Sequence, residues 1–286
     1  MKKYLKLMRV SHYIKNIVIF LPCILSQHST DGWGKVFLGT CIFSFLSSIV
    51  YILNDIRDIE KDKLHPTKNK RPLASGEVSV NVAKIIIIIL ALVVFGLFLL
   101  ARCELRYIVF PLLYVVLNIG YSFGLKNIAL LDVLILMSGY LIRLEYGAVL
   151  IDVNVSTWMF LMITSAAFFL GFGKRRNELL KFGDRSRKSL GTYTIGFLNQ
   201  SIQISMTTTI IFYAMACADT QTTVALAGVD LLWSVPFVFI ICLRYMMILE
   251  KDDCDGDPVT VVLSDRPLLG LGVAYVLIVY LLLYVI

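Results

Sequence analysis

Charged residues are scarce in this sequence. Lysine, arginine, aspartate and glutamate together make up 16% of the 286 residues, whereas roughly a quarter of an ordinary soluble domain is charged. The apolar share is correspondingly high, at 58%. This composition excludes an ordinary soluble domain and predicts an integral membrane protein.

Histidine and cysteine are also few, and their spacing carries no metal motif. The three histidines, His12, His28 and His65, lie too far apart in the sequence to suggest a zinc site. The six cysteines are scattered without a C-x-x-C pair, so we expect them to be small apolar residues of a helical bundle. The sequence therefore argues against a soft-metal centre.

Long apolar runs fill most of the chain. A bilayer core of about 30 Å needs roughly 20 apolar residues per helix, and nine such segments can be placed. They lie near residues 14–30, 35–54, 81–101, 105–121, 128–150, 156–173, 193–217, 231–249 and 267–286. We therefore predict one all-α integral membrane domain, residues 1–286, with nine transmembrane helices.

The connections between these segments fall into two groups that differ in charge. Most lysines and arginines lie in the N-terminal arm and in the connections 55–80, 122–127, 174–192 and 250–266. The segment 218–230, by contrast, has no lysine or arginine. Because basic loops stay in the cytoplasm, we predict a multi-pass protein of the cell membrane with a cytoplasmic N-terminus and cytoplasmic long loops. Topology then explains the net charge of +7, and we expect no nucleic-acid partner.

A cluster of acidic residues follows the second apolar segment. Asp55, Asp58 and Asp62 stand at i, i+3 and i+7, so on a helix they share one face and repel one another. Oxygen ligands favour Mg²⁺, which uses one or two carboxylates and completes its shell with water and substrate phosphates. We predict Asn54, Asp55, Asp58 and Asp62 as Mg²⁺ ligands, with Asp55 and Asp58 catalytic. The alternative is a solvated helix end whose acids pair with nearby basic residues.

Two basic segments predict phosphate binding. In the first, which runs from His65 to Pro72, prolines hold an irregular loop that presents lysine and arginine beside the predicted Mg²⁺. The second, Gly171 to Tyr193, has seven basic residues against two acids. Its alternative role is attraction to anionic lipids. The candidate substrate-binding residues from these segments are His65, Lys68, Arg71, Lys174, Arg175, Glu178, Arg187 and Lys188.

Arg143 and Glu145 lie deep in the fifth predicted span. A charge at mid-membrane depth costs about 2.5 to 3.5 kcal/mol, so each side chain should face a polar cavity or a partner on another helix. Residues two apart point to different helix faces, so we expect no pair between them. Arg143 is a further candidate for binding a substrate phosphate.

Three motifs together resemble the UbiA superfamily of intramembrane transferases. They are N-D-x-x-D-x-x-x-D at Asn54–Asp62, H-P-x-K-x-x-R-P-x-A-x-G at His65–Gly76, and Y-S-x-x-L-K at Tyr121–Lys126. The resemblance implies a helical bundle whose central cavity opens to lipid, with Mg²⁺ holding a diphosphate at the cytoplasmic mouth.

The chain departs from the ordinary prenyltransferases of that superfamily, which have a second D-x-x-x-D motif after the sixth span. It has K-R-x-x-E-L at Lys174–Leu179 and R-K-S-L-x-x-Y-T at Arg187–Thr194 instead. These residues resemble the decaprenyl-phosphate phosphoribosyltransferase branch. The stretch Met8–Pro22 is a partial match to this branch, because Val10 replaces the usual proline. The resemblance adds substrate-binding candidates, which are Lys15, Asn16, Tyr121, Lys126 and Tyr193.

The resemblance implies the transfer of a 5-phosphoribosyl group from 5-phosphoribosyl 1-diphosphate to a polyprenyl phosphate of decaprenyl type, with Mg²⁺ as cofactor. Lysine and arginine in place of aspartates suit these substrates, which carry more phosphate than a prenyl diphosphate does. The nearest alternative is a prenyltransferase acting on an aromatic acceptor. An anion transporter would need an inverted repeat, which is not detected. Membrane lipids are expected partners, and the sequence leaves a homo-oligomer open.

Overall fold

The computed structural model describes residues 2–26, 30–64, 68–100, 104–183, 188–219, 230–251 and 257–284, and no β-strand occurs among them. The α-helices, in chain order, are α1 (Lys2–Leu7), α2 (Leu21–Leu25), α3 (Thr30–Arg57), α4 (Ile59–Lys63), α5 (Val80–Leu100), α6 (Arg106–Phe123), α7 (Leu131–Leu150), α8 (Thr157–Phe182), α9 (Ile195–Ala218), α10 (Val235–Leu249), α11 (Pro258–Ser264) and α12 (Arg266–Tyr284). The 3₁₀ helices are Val10–Phe20, Lys68–Lys70, Leu125–Asn127, Lys188–Thr192 and Leu231–Ser234.

Eight helices in the described part of the chain are long and apolar enough to cross a membrane. They correspond to the second to ninth predicted segments. The first predicted segment, 14–30, is a shorter apolar helix, Val10–Leu25. Its 11 residues from Val10 to Phe20 are 3₁₀, which rises about 2.0 Å per residue rather than 1.5 Å. The 16 residues therefore reach about 30 Å, which matches a bilayer core.

The sixth span ends later than the sequence predicted. We expected a loop from residue 174, but α8 continues to Phe182. Arg175 and Asn177 are buried on this extension, and Asn177 donates to the carbonyl oxygen of Leu249 at 3.1 Å. These contacts supply partners that a polar helix end needs. The helix ends at Gly183, whose φ of 62° favours glycine.

The helices form two compact units. The first unit comprises residues 1–24, 28–123 and 142–153, and the second comprises 25–27, 124–141 and 154–286. Buried aromatic and aliphatic side chains, including Phe43 and Tyr146, form the core of the first unit. A separate apolar cluster, including Phe169 and Tyr245, forms the core of the second. Helix α7 begins in the second unit and ends in the first.

Close backbone contact fixes the helix Val10–Leu25 against α7 in the first unit. A Cβ atom added at Gly147 would overlap the carbonyl oxygen of Ile19. Ile19 itself is fully buried. The packing of these two helices therefore depends on a residue without a side chain at position 147.

Candidate functional site

Two carboxylates of the predicted acidic motif come together in the first unit. Asp55 lies in the last turn of α3 and Asp62 lies in α4, with side chains 3% and 6% exposed. Nη1 of Arg71 is 3.1 Å from Oδ1 of Asp55 and 2.7 Å from Oδ2 of Asp62. Arg9 donates from Nη2 to the same oxygen of Asp55 at 2.5 Å. Two guanidinium groups thus balance two buried carboxylates, as burial of charge requires.

Arg9 reaches this cluster through an unusual backbone conformation. Its φ of 51° and ψ of 47° are left-handed, and they join α1 to the following 3₁₀ helix. The guanidinium also lies over the ring of Tyr51, 4.8 Å from its centroid. Residues other than glycine seldom adopt this conformation. Backbone hydrogen bonds of Arg9 to Lys6 and from His12 stabilise it together with the side-chain contacts to Asp55 and Tyr51.

The helix that carries the acidic motif is interrupted at Asp58. This residue has φ of −95° and ψ of 9°, and it separates α3 from α4. The backbone nevertheless keeps helix-like hydrogen bonds from Asp58 to Asn54 and from Asp62 to Asp58, at 3.0 and 2.8 Å. The three aspartates of the predicted face therefore lie on two consecutive helices, α3 and α4. Asp58 is half-buried at the junction between them.

The carboxylate oxygens of this cluster are suitable ligands for Mg²⁺. No three histidine, cysteine, aspartate or glutamate side chains in the described residues are close enough to hold one metal ion. Mg²⁺ needs only one or two carboxylates, because water and substrate phosphates complete its shell. One nitrogen of Arg71 contacts Asp55 and Asp62 together, which shows that a positive centre can meet both carboxylates. The residues therefore fit an Mg²⁺ ion that takes its remaining ligands from water or phosphate oxygens.

A residue of the Y-S-x-x-L-K motif contacts the acidic motif in the same unit. Ser122, at the end of α6, donates to Oδ1 of Asn54, so the Y-S-x-x-L-K motif contacts the acidic motif. Tyr121 and Lys68 are half-buried. The structure thus connects two segments that the sequence grouped only by resemblance.

Arg143 and Asn16, both predicted to bind substrate, contact each other. Nε of Arg143 donates to Oδ1 of Asn16 at 2.7 Å, and Nδ2 of Asn16 donates to Ser44 Oγ at 2.7 Å. The Arg143 guanidinium also lies 4.7 and 5.0 Å from the ring centroids of Phe43 and Tyr114. The predicted partner on another helix is therefore Asn16, and cation–π contacts further offset the burial of this charge.

A second cluster of buried charge lies in the second unit, around Arg175. The Arg175 side chain is 1% exposed, and its Nε lies 2.8 Å from Oδ2 of Asp132. Its Nη1 donates to Oε2 of Glu178, one turn further along α8. Asp132, in the first turn of α7, is fully buried. The K-R-x-x-E-L motif therefore forms a buried network with an acid that sequence reasoning did not single out.

Two hydroxyl groups of the R-K-S-L-x-x-Y-T segment lie beside Asp132, and Ser189 shares its single hydrogen between Asp132 and the Lys126 carbonyl. The Tyr193 hydroxyl lies 2.7 Å from Oδ1, and Ser189 Oγ lies 3.3 Å from Oδ2. The Tyr193 oxygen accepts in turn from the backbone N–H of Leu130 at 2.6 Å. Burial, together with Asp132, raises the pKa of Tyr193 above its usual range, so the phenol stays protonated and donates to the carboxylate.

The remaining basic candidates of the second unit are more accessible. Lys174 pairs with Asp257 at 3.1 Å, Lys126 is half-buried and Lys188 is exposed. The Lys126 carbonyl accepts from Ser189 Oγ at 3.0 Å. This hydrogen bond therefore connects the segment that contains Lys126 with the segment that contains Lys188 and Ser189. In the first unit, Lys15 is half-buried. The predicted residues His65 and Arg187 lie outside the described residues.

Sequence reasoning missed two charged residues. Asp132 is an isolated acid at the start of an apolar helix, and such a residue is itself a signal that a polar partner is near. Arg9 lies in the N-terminal arm, whose basic residues predict only the topology. Its contact with Asp55 spans 46 positions, so neither spacing nor periodicity indicates it.

Comparisons with known proteins agree with this architecture. The chain is 30% identical over 292 residues to the decaprenyl-phosphate phosphoribosyltransferase of Corynebacterium glutamicum, covering 98% of this chain and 86% of that one. It is 31% identical to the enzyme of the same name from Mycolicibacterium smegmatis, with 95% and 89% covered. It is also 28% identical over 211 residues to the digeranylgeranylglyceryl phosphate synthase of Sulfolobus acidocaldarius, covering 69% of this chain and 75% of that one.

Solved structures show the same fold. A UbiA homologue from Archaeoglobus fulgidus, bound to GPP and Mg²⁺, superposes with a TM-score of 0.71 at 17% identity, covering 99% of this chain and 100% of that chain. The prediction of an all-helical, UbiA-type membrane bundle is therefore confirmed. The sequence profile of the UbiA prenyltransferase family matches residues 17–261. The chain is thus a membrane-bound transferase that belongs to the UbiA prenyltransferase family.

Proposed function

We propose that this protein transfers a 5-phosphoribosyl group from 5-phosphoribosyl 1-diphosphate to a polyprenyl phosphate of decaprenyl type and releases diphosphate. The observation that carries the proposal is nearly full-length similarity to two enzymes named decaprenyl-phosphate phosphoribosyltransferase. The motif after the sixth span supports it. Lys174, Arg175 and Glu178 stand there, and the two basic residues suit a donor and an acceptor that both carry phosphate.

The acidic cluster of the first unit is proposed to bind the diphosphate end of the donor. Asp55 and Asp58, supported by Asn54 and Asp62, would hold Mg²⁺ there. When bound, the ion would neutralise the negative charge that grows on the departing diphosphate. Lys68 and Arg71, together with His65, would bind the same group, which requires Arg71 to turn from Asp55 and Asp62 towards phosphate oxygens.

The acceptor reaction needs no proton transfer. The bond between the anomeric carbon and the diphosphate oxygen breaks, and a bond from that carbon to an acceptor phosphate oxygen forms. A phosphate monoester is already ionised near neutral pH, so its oxygen can attack without a general base. Direct displacement would invert the anomeric carbon. The role of the protein is then to position the substrates and to neutralise charge.

The substrate phosphates are assigned to the basic candidates of both units. These residues are Lys15, Lys126, Arg143, Lys174, Arg187 and Lys188, and Asn16, Tyr121 and Tyr193 are further candidates. Arg175, whose side chain is 1% exposed, stays in its buried pairs with Asp132 and Glu178. Glu178 is proposed to accept a hydrogen bond from a ribose hydroxyl. We further propose that these residues face the cytoplasm, where the positive-inside rule places them, and that the polyprenyl tail lies against the apolar helices.

A direct transfer assay tests the proposal. Purified protein, Mg²⁺ and labelled phosphoribosyl diphosphate are incubated with decaprenyl phosphate, and label is expected in the lipid extract. Asp58→Ala should abolish transfer and leave the protein folded. The matched control is Lys61→Ala, which changes an exposed residue of the same segment and should have little effect.

A prenyltransferase is the second candidate, and similarity to a digeranylgeranylglyceryl phosphate synthase favours it. In the same preparation, a prenyl diphosphate is offered with an aromatic acceptor or with a glycerol phosphate. Transfer of the prenyl group, with no label from phosphoribosyl diphosphate in the lipid, would establish this candidate and overturn the proposal above.

A further inference from the structure

Asp132 has more donors around it than a simple ion pair supplies. Nε of Arg175 lies 2.8 Å from one of its oxygens. The Tyr193 hydroxyl donates to the other at 2.7 Å, and Ser189 is within 3.3 Å. A fully buried carboxylate that accepts several hydrogen bonds is held in one orientation. The Asp132 side chain is therefore held in place, although it is too buried to contact a substrate.

The groups around Asp132 connect two segments with predicted phosphate-binding lysines. Tyr193 accepts from the N–H of Leu130, and Ser189 donates to the carbonyl of Lys126. Ser189 is also the immediate neighbour of Lys188. The segment before α7 and the segment before α9 are thus tied to the same carboxylate.

Arg175 contacts both the buried Asp132 and Glu178, which is more accessible. The Arg175 side chain is 1% exposed, whereas that of Glu178 is 13% exposed. The guanidinium is planar and rigid, so a carboxylate on Nε and another on Nη1 are held at a fixed angle. The position of Glu178 consequently depends on the group that holds the other side of Arg175.

We propose that Asp132 is a positioning residue of the transferase site, which orients Glu178 through Arg175 and holds the Lys126 and Lys188 segments through Ser189 and Tyr193. In this arrangement Arg175 is an internal connector rather than a phosphate ligand. The inference rests on the proposed phosphoribosyl transfer, because it assigns Glu178 to the ribose of the donor. It differs from a purely structural ion pair, which would stabilise the fold without changing affinity for the donor.

A double-mutant cycle tests the path through Arg175. Asp132→Asn and Glu178→Gln are measured singly and together, with KM determined separately for phosphoribosyl diphosphate and for polyprenyl phosphate. We expect Asp132→Asn to raise KM for the donor at least about tenfold, because the buried Arg175 loses its ion-pair partner, and to change KM for the acceptor by a smaller factor. The double variant should lose less than the sum of the two single effects, because part of the effect of Asp132 passes through Glu178.

The control for the cycle is Asp152→Asn. Asp152 is an exposed partner of Arg106 in the first unit, so this change also removes an acid from an arginine pair and should leave both KM values unchanged. Additive effects of Asp132→Asn and Glu178→Gln would overturn the positioning role and leave the proposed function intact. A wild type that transfers no phosphoribosyl group would overturn both.

Tyr193→Phe tests the same network in a variant that retains the Asp132–Arg175 pair. Without substrate, amide exchange in peptides covering residues 124–131 and 188–194 should be about tenfold faster than in the wild type, because Leu130 loses its acceptor. The donor KM should rise in the same variant. Unchanged exchange would contradict the proposed connection between these segments. Faster exchange with an unchanged donor KM would reduce the network to a structural role.

Discussion

At the scale of single residues, positive groups of the chain occupy the places where the proposed reaction needs cations. Arg71 contacts Asp55 and Asp62 with one nitrogen, and Arg9 contacts Asp55. Two carboxylates this close to each other and this buried are stable only with positive charge beside them. We therefore expect the proposed Mg²⁺ ion to compete with Arg71 for the same oxygens.

The competition predicts opposite effects of Arg71→Gln on two measurements. Without Arg71, Mn²⁺ used as a probe for Mg²⁺ should bind about tenfold more tightly in the absence of substrate, because one neighbouring positive charge is removed. The KM for phosphoribosyl diphosphate should rise at least about tenfold, because the diphosphate loses a guanidinium partner. Electron paramagnetic resonance measures the first quantity, and the transfer assay measures the second.

Lys63→Gln is the control for this prediction. Lys63 lies on α4 and pairs with the exposed Glu60 at 2.8 Å, so the variant removes the same charge without touching Asp55 or Asp62. It should change neither measurement by more than about twofold, as expected for an exposed pair. Weaker Mn²⁺ binding by Arg71→Gln would show that Arg71 supports the metal site instead of competing for it.

The types of residue in the site could be predicted from the sequence better than their contacts. The spacing of the aspartates and the basic character of Lys174–Lys188 are visible in the sequence. The contacts of Arg71 with both carboxylates and of Asp132 with Arg175 depend on how distant segments pack, so periodicity does not indicate them. Assignments of the individual ligands remain predictions for the assays above.

At the scale of helices, polar partners decide where elements end. A hydropathy pattern places the end of the sixth span at residue 173, because charged residues follow. Helix α8 continues to Phe182 because Arg176 donates to Asn199 at 2.6 Å and to the Leu249 carbonyl at 3.1 Å. Charge in the sequence therefore predicts a membrane boundary near residue 173, whereas tertiary hydrogen bonds determine where the helix ends.

The contact between Gly147 and Ile19 predicts a strong effect of a single methyl group. Gly147→Ala would force the Ile19 backbone away from α7, and overpacking of this kind costs about 1 to 3 kcal/mol. We expect a clear fall in the midpoint of thermal unfolding in detergent. The matched control is Gly96→Ala in α5, where a new Cβ meets no atom within 4 Å. That variant should be neutral or slightly stabilised, and equal losses in both variants would contradict the role of the close contact.

At the scale of the whole molecule, apolar length was the most reliable guide. Eight of the nine predicted segments correspond to long apolar helices in the described residues. The first is the shorter Val10–Leu25, because hydropathy does not distinguish 3₁₀ from α geometry. Fold class and family followed from the sequence, while the prediction of a single domain, a homo-oligomer and the cytoplasmic orientation remain proposals.

The orientation can be tested by the alternation of the connections. The nine-span topology predicts that Arg106 and Asp152 lie at connections on the outer side. The two side chains form an ion pair in the first unit, which agrees with a position on the same side of the membrane. Cysteine introduced at the exposed Asn154 should react with a membrane-impermeant maleimide in intact cells. Cysteine at the exposed Ser75 should react only after the cells are opened.

The background for this experiment is a parent protein in which Cys103 and Cys254 are replaced by serine, because both lie in predicted connections. Cys23, Cys217 and Cys242 are buried. The expected pattern follows from the excess of lysine and arginine in the connections 55–80 and 174–192, which resist translocation. In the reverse pattern, Ser75→Cys would be labelled in intact cells and Asn154→Cys would be protected. That result would place the residues proposed to bind phosphate on the outer face. A charged donor such as phosphoribosyl diphosphate could then not reach these residues from the cytoplasm. The proposed reaction would need a different source of phosphoribosyl groups.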